Sequence, residues 1–235
     1  MAKILATVAR EVKAGVETRA LDDLAQKLIL AGGDKPAFLN YRPAGSRLAY
    51  PASLCVSINE EIVHGIPSNR KIADSDVVSI DLGLIHNGMY TDMAVTVAVG
   101  EVDKIKKKMI EVAREALNVG IKEAKIGGHI GDISQAIEDF IIGQGFDVVL
   151  DLAGHGVGFQ AHEDPFIPNY GKKGKGEKIE EGLVLAIEPM VTLGDGKIKL
   201  EKDGFTFTTR NKEWCAHFEH TIAVTKNGPK ILTKL

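Results

Sequence analysis

The sequence predicts an α+β fold of two pseudo-symmetric halves, about 1–101 and 102–235, forming a single domain, 1–235, with a shared curved sheet and a shared core. Two observations carry this. A pair of helix-like segments occurs twice along the chain. Each pair is followed by strand-like segments, so helices are segregated from strands instead of alternating with them.

The first half opens with a helical stretch, Ile4 to Val12. Lys13-Ala14-Gly15 then turns the chain into an amphipathic segment through Ala20 to Ile29, ended by Gly33. In the second half Val102 to Glu123 is the first helical stretch. Lys125-Ile126-Gly127 makes the matching turn, and Asp132 to Ile141 is the matching helix, ended by Gly145. Ala-Arg-Glu recurs in the first member of each pair, at Ala9-Arg10-Glu11 and Ala113-Arg114-Glu115. Strands are expected at Leu54 to Ile58, Val77 to Ile85 and Met89 to Val99, then at Val148 to Leu152, Leu183 to Val191, Phe205 to Thr209 and Phe218 to Val224. No low-complexity linker separates the halves.

Composition narrows the function. With 44% hydrophobic and 26% charged residues the chain has an ordinary globular balance, and with a formal charge of -3 there is no basic excess to argue for nucleic acid as the main partner. Two cysteines, Cys55 and Cys215, are too few for a disulfide framework. No apolar run approaches the ~20 residues that span a membrane, and the N-terminus lacks a secretory core. A cytoplasmic location is expected by default.

The chemistry lies in acids placed within or beside apolar strands. Asp81 sits inside Val77 to Ile85. Asp92 precedes the apolar Met93 to Val97, Glu188 ends Leu183 to Ile187, and Glu219 opens the last strand-like run. A buried carboxylate without a partner costs several kcal/mol. Several gathered together point to metal rather than to one salt bridge. Asn87-Gly88 between apolar runs signals a two-residue hairpin. That register pairs residue 86 with 89 and 81 with 94, which puts Asp81 and Asp92 diagonally on one face, under about 7–8 Å apart. A one-residue change in the loop would turn one of them away.

His155, among glycines in Gly154-His155-Gly156-Val157-Gly158, is a candidate neutral metal ligand. His64 and His162 are plausible hydrogen-bond donors near a substrate, though each alone reads more readily as an ordinary loop residue. His217 and His220 flank Glu219, and strand alternation puts both on the opposite face, with no role expected. Several other chemistries are absent. There is no Gly-x-Ser-x-Gly elbow, no His-Glu-x-x-His helix and no Cys-x-x-Cys pair. Gly171-Lys172-Lys173-Gly174-Lys175-Gly176 lacks the Lys-Ser/Thr ending of a phosphate loop and reads as a solvated loop, with at most a weak contact to ribosomal RNA.

Taken in order, Asn59-Glu60 to His64-Gly65, Asp81, Asp92, Gly154-His155-Gly156 to His162-Glu163, Ile187-Glu188-Pro189-Met190-Val191 and Phe218-Glu219-His220-Thr221 closely resemble the type I methionine aminopeptidases, of the pita-bread fold. Pro168-Asn169-Tyr170-Gly171 and Asp203-Gly204-Phe205 extend the match to nearly the whole chain. The resemblance implies two divalent cations (Mn, Fe, Co or Zn) held by Asp81, Asp92, His155, Glu188 and Glu219, with Asp92 and Glu219 bridging. It implies His64 and His162 as substrate-binding and intermediate-stabilising histidines, and Glu188 as general base. Tyr50, Cys55 and Phe205 would form the pocket for the methionine side chain. The substrates implied are nascent polypeptide N-termini, met near the ribosome by a monomer. Two departures bear on the pocket: Ala161 is small where a larger apolar residue is usual, and Phe205 stands where tryptophan is common.

Two other readings use the same residues. An X-Pro aminopeptidase or dipeptidase would share the metal site, but those relatives usually carry an added N-terminal domain. A non-catalytic nascent-chain-binding homologue would typically have lost ligands, and all five candidates are present here.

Overall fold

The computed structural model describes residues 1–43 and 47–234. Four helices form from amphipathic segments. Helix α1 (Ala2–Arg10) buries Ala2, Leu5 and Val8, and α2 (Thr18–Ala31) buries Leu21, Ala25 and Ile29, the three-to-four-residue spacing of one helical face. Helix α3 (Lys104–Glu123) is capped by Asp103, whose carboxylate accepts the Lys106 N–H at 2.9 Å. Helix α4 (Ile130–Gly143) is closed by the Asp132 carboxylate, which accepts the His129 N–H.

One backbone arrangement recurs before α2 and before α4. The Gly15 N–H donates to the Ile72 carbonyl at 2.8 Å, and the Gly127 N–H to the Ile179 carbonyl at 2.9 Å. Both glycines hold a left-handed φ, 86° and 85°, which glycine tolerates without a steric cost. Bridges Glu17 to Lys71 and His129 to Lys178 follow at corresponding places.

Fifteen short strands pair antiparallel throughout the described residues. Strand β4 (Val77–His86) carries β5 (Met89–Ala98) on one edge; β1 (Lys35–Pro36) and β2 (Leu54–Ile58) pair along the other. The β4–β5 register is the one the Asn87-Gly88 turn predicts, His86 opposite Met89 and Asp81 opposite Ala94. Asn87 and Gly88 both take positive φ, 49° and 83°, as a type I′ turn requires. In the second half β15 (Gly228–Ile231), β14 (His220–Thr225), β9 (Val184–Ile187), β7 (Ala153–Gly156) and β8 (Glu163–Pro168) form a five-stranded sheet. Two three-stranded sheets complete the fold. One joins β13 (Cys215–His217), β10 (Met190–Thr192) and β6 (Asp147–Val148). The other joins β11 (Ile198–Leu200), β12 (Phe207–Thr209) and β3 (Glu61–Val63).

The second half departs from the segments expected. The run Leu183 to Val191 divides at Glu188-Pro189 into β9 and β10, which join different sheets; proline has no N–H to continue a ladder. Val148 to Leu152 is strand only at its first residue, and the strand that matters, β7, begins at Ala153 and contains His155. The run Phe205 to Thr209 begins only at Phe207. Strand β8, with its two prolines, was not expected; it pairs only with β7, so its outer edge needs no N–H.

The expected single core is two-lobed. One cluster packs α1 and α2 on β2, β4 and β5 through Leu5, Leu21, Ile29, Leu54, Ile80 and Leu82. The other packs α3 and α4 on second-half strands through Met109, Ile133, Ile137, Leu185 and Ile222. Val95 of β5 touches both. Helices lie outside the strands of each half, and the acids lie at the seam. Among the described residues no helix is long and apolar enough to cross a membrane.

Candidate metal centre

The seam opens into a cavity of about 580 Å³. Asp81, Asp92, His155, Glu188 and Glu219 all line it, and each is at most 8% exposed. Asp81 and Asp92 arrive from the β4–β5 hairpin. Glu188 is the residue after β9 and Glu219 the residue before β14, and Ile187 pairs with His220. The two glutamates therefore leave neighbouring strand ends side by side.

Long-range hydrogen bonds hold three of the four acids in place, and the hairpin ladder places Asp81. The Glu219 N–H donates to the Ala94 carbonyl of β5 at 2.9 Å. Thr221 Oγ1 accepts the Asp92 N–H at 2.8 Å and lies 2.7 Å from the Asp92 carbonyl. Buried Asn169 donates to the Glu188 carbonyl at 2.9 Å. His155 donates Nδ1–H to the Gly156 carbonyl at 2.8 Å, which leaves Nε2 as a lone-pair donor facing Glu188 Oε1 at 3.5 Å.

The electrostatics call for a cation. Burial raises the pKa of all four acids: Asp81 is pushed up to about 6, and burial with the neighbouring Asp81 charge holds Asp92 well above the usual carboxylate range. Glu188 is raised by burial, and Glu219 by burial and then by Asp92. Asp81 Oδ1 and Glu219 Oε1 are buried without a hydrogen-bond partner. Among the described residues no Lys or Arg pairs with these acids; the ion-pair distances are to His155 and His217. Burial lowers His155 to about 3, so it is neutral, as a metal-ligating imidazole must be. One ligand atom each from Asp92, His155 and Glu219 already lie within 4.8 Å of one another. Four carboxylates and one imidazole form a mainly oxygen donor set suited to a hard or borderline divalent cation.

His64 and His162 also line the cavity. His64 holds a left-handed φ of 60°, and burial lowers its pKa to about 4. His162 stands at the mouth, its ring 4.3 Å from that of His155. Beside the acids is an apolar end. Cys55 pairs in register with Asp81, and Tyr50 meets Phe205 edge-on at 5.4 Å. The Tyr50 hydroxyl donates to the Gly65 carbonyl at 2.9 Å. All three, with Phe38, belong to one cluster of apolar residues. Ala161 is buried and is not among the residues that line the cavity.

One residue corrects the expectation from strand alternation. His217, 1% exposed, faces the acids with Nε2 3.4 Å from Glu188 Oε2. Alternation fails because β13 ends at His217 and β14 begins at His220, so the period of two does not carry across Phe218-Glu219. His220 does point away, to Thr233 Oγ1 at 2.9 Å. Tyr41, Asn169 and Thr221 were not singled out as site residues; Asn169 and Thr221 lie within motifs of the family resemblance, and no local pattern marks Tyr41. The Gly171–Gly176 loop is pinned to α4 by Asp132, Gln135 and Glu138, away from the cavity.

Comparison with known proteins agrees with this geometry. The sequence is 45% identical over 236 residues to the methionine aminopeptidase of Borreliella burgdorferi, covering 100% of this chain and 92% of that one. The structure superposes on the methionine aminopeptidase of Rickettsia prowazekii with a TM-score of 0.95 and 38% identity, over 99% of this chain and 92% of that one. For the methionine aminopeptidase of Thermotoga maritima the values are 0.94 and 42%, over 100% and 92%. The arrangement is thus the pita-bread fold of these structures. The profile described as "Metallopeptidase family M24" matches residues 1–226. With family, fold and a buried carboxylate–imidazole cluster in agreement, this chain belongs to metallopeptidase family M24 and uses divalent metal.

Proposed function

We propose that the protein removes the N-terminal methionine from nascent polypeptides and peptides, as a single catalytic domain with an internal duplication. The observation that carries this is the cavity itself: a cluster of buried, uncompensated acids at one end and an apolar pocket directly beside it. Asp81, Asp92, His155, Glu188 and Glu219 would hold two cations, with Asp92 and Glu219 shared between them; Mn, Fe, Co and Zn all suit this donor set. Bound there, divalent cations supply Lewis acidity, which polarises a carbonyl and lowers the pKa of water toward neutrality.

The chain's own residues do the rest. Glu188 accepts the proton of the attacking water at a carboxylate oxygen and passes it to the leaving amine. His162 donates a hydrogen bond to the carbonyl oxygen as negative charge develops on it, and His64 orients the substrate peptide group. Tyr50, Cys55 and Phe205, with Phe38, receive the methionine side chain and exclude water from it. Crowding by the acids and His155 around the second residue favours Gly, Ala or Ser there. Nascent N-termini in the cytoplasm are the substrates this pocket suits, approached by a monomer at or near the ribosome.

The test is a peptide panel with metal-stripped protein to which each divalent metal is returned. Met-Ala-type peptides should be cleaved, with lesser cleavage of norleucine and leucine at the first position, because an apolar pocket discriminates only ~1–3 kcal/mol per methylene. An enzyme that ignores Met-Ala peptides and hydrolyses Ala-Pro ones would overturn the reading in favour of proline-directed activity. Metal-dependent peptide binding without cleavage would overturn it in favour of a nascent-chain-binding role.

A further inference from the structure

We propose that Tyr41 is a positioning residue for His162: its hydroxyl selects the imidazole tautomer that carries the proton on Nε2, the nitrogen left to face the cavity. The proposal rests on the donor role given to His162 above.

Tyr41 lies outside any helix or strand, 121 residues before His162 in sequence. Its hydroxyl oxygen is 2.8 Å from His162 Nδ1, and the two rings stand 5.2 Å apart at 40°. Both residues line the cavity. The segment that carries Tyr41 is tied down. The Tyr41 N–H donates to the Phe38 carbonyl at 2.9 Å, the Tyr50 N–H to the Tyr41 carbonyl at 2.8 Å, and the Asn40 N–H to the Tyr50 carbonyl at 2.8 Å. Tyr50 is itself buried beside Cys55 and Phe205, so the mount of the hydroxyl is continuous with the apolar pocket.

A neutral imidazole has one proton for two nitrogens. The ordinary pKa values of histidine, ~6.5, and tyrosine, ~10, make the pair imidazole and phenol at neutral pH, not imidazolium and phenolate. An imidazole nitrogen is a much stronger base than a phenol oxygen, and the favoured bond is O–H donating to Nδ1. That bond requires the imidazole proton to be on Nε2. The reverse bond, Nδ1–H donating to the phenol oxygen, would leave Nε2 bare and unable to donate to a substrate oxygen. Among the described residues Nε2 of His162 takes part in no hydrogen bond, so nothing else competes to set the tautomer. The hydroxyl also resists rotation of the ring, which would swing Nε2 out of the cavity.

Tyr41→Phe tests this, because it keeps the ring and removes only the hydroxyl. In metal-loaded, full-length protein we expect kcat on a Met-Ala peptide to fall by ~10-fold or more, the cost typical of an outer hydrogen-bonding partner. KM should stay within about twofold of the parent and metal content should be unchanged, because the phenyl ring still walls the pocket. A double-mutant cycle supplies the readout that a pocket role would not move. In a His162→Ala background, adding Tyr41→Phe should change kcat no further, because the residue it acts through is gone. Losses that instead multiply, or a raised KM with unchanged kcat, would make Tyr41 a pocket wall and overturn the proposal. If His162→Ala itself kept full kcat, the donor role of His162 would fall and this proposal with it. Nitrogen-15 spectra of metal-stripped protein give a second readout. His162 should be an Nε2–H tautomer in the parent and a mixture in Tyr41→Phe, and an unchanged spectrum would overturn the proposal.

Discussion

The two halves deliver their acids in different ways. In the first, β4 and β5 form one unbroken hairpin, and a two-residue turn alone sets which face Asp81 and Asp92 share. In the second, the paired strands are β9 and β14, separated in sequence by the excursion that contains β10 to β13. Glu188 and Glu219 fall just beyond the strand ends, where the ladder no longer decides direction. Their orientation comes instead from Asn169, which holds the Glu188 carbonyl, and from Ala94 of the other half, which holds the Glu219 N–H. The lesson is that strand alternation is a guide to facing only inside a continuous ladder. At a strand end, tertiary hydrogen bonds take over.

The sharpest way to break this comparison is to remove one central acid from each half. Asp92→Asn and Glu219→Gln should each lose metal and turnover at least as severely as Asp81→Asn, since each would serve both cations. Elemental analysis with kcat measurement checks this. Equal metal occupancy in all three variants would separate the halves functionally and end the bridging assignment.

Removing the cations acts on both halves at once. Chelation should abolish activity and lower Tm, since a ligand at 100 times its Kd adds about 2.7 kcal/mol to the native state. The sign of the pH dependence follows from the raised acids. In the metal-free protein the native state holds its protons more tightly than the unfolded chain, so its stability falls as pH rises through the window from about 4 to about 6 in which Asp81 titrates. Cations bind only the deprotonated acids, so the gap in Tm between loaded and stripped protein should widen from pH 5 to pH 7.5. A gap independent of pH would argue against a carboxylate site.

His217 tests whether the break between β13 and β14 matters chemically. Its Nε2 lies 3.4 Å from Glu188 Oε2, and His217→Leu should weaken metal binding by ~10–100-fold, the range for loss of a group that supports a ligand. Calorimetric titration of stripped protein with zinc would measure it. An unchanged affinity would reduce His217 to packing.

The smallest effects compare the supports themselves. Asn169→Ala leaves the Glu188 carbonyl without its donor and should cost about 1–3 kcal/mol, with a fall in kcat. Gly88→Ala puts a Cβ where nothing lies within 4 Å but keeps a left-handed φ of 83°, so it should cost ~1 kcal/mol through strain alone, with full activity. Urea denaturation beside kcat would show both. If Gly88→Ala harmed activity more than Asn169→Ala, the contrast between a locally and a tertiarily placed pair would be lost.

What was legible in the sequence follows this division. Helical periodicity, the paired glycine turns and the Asn87-Gly88 signal are short-range, and they yielded the α+β pattern and the shared face of Asp81 and Asp92. The roster of acids was legible too, because a carboxylate in an apolar strand is conspicuous on energetic grounds. The sequence by itself therefore determined the helices and three longer strands of the first half, though not the short β1 and β3, and the kind of chemistry. Its resemblance to a known family added the ligand set and the pocket residues. Only the tertiary structure decided that β9 ends at Glu188, that His217 turns inward, and that Tyr41 and Asn169 stand against His162 and Glu188. Those placements depend on contacts between segments far apart in the chain, 121 residues apart for Tyr41 and His162. No local period or turn encodes them; the packing of the two lobes against one another does.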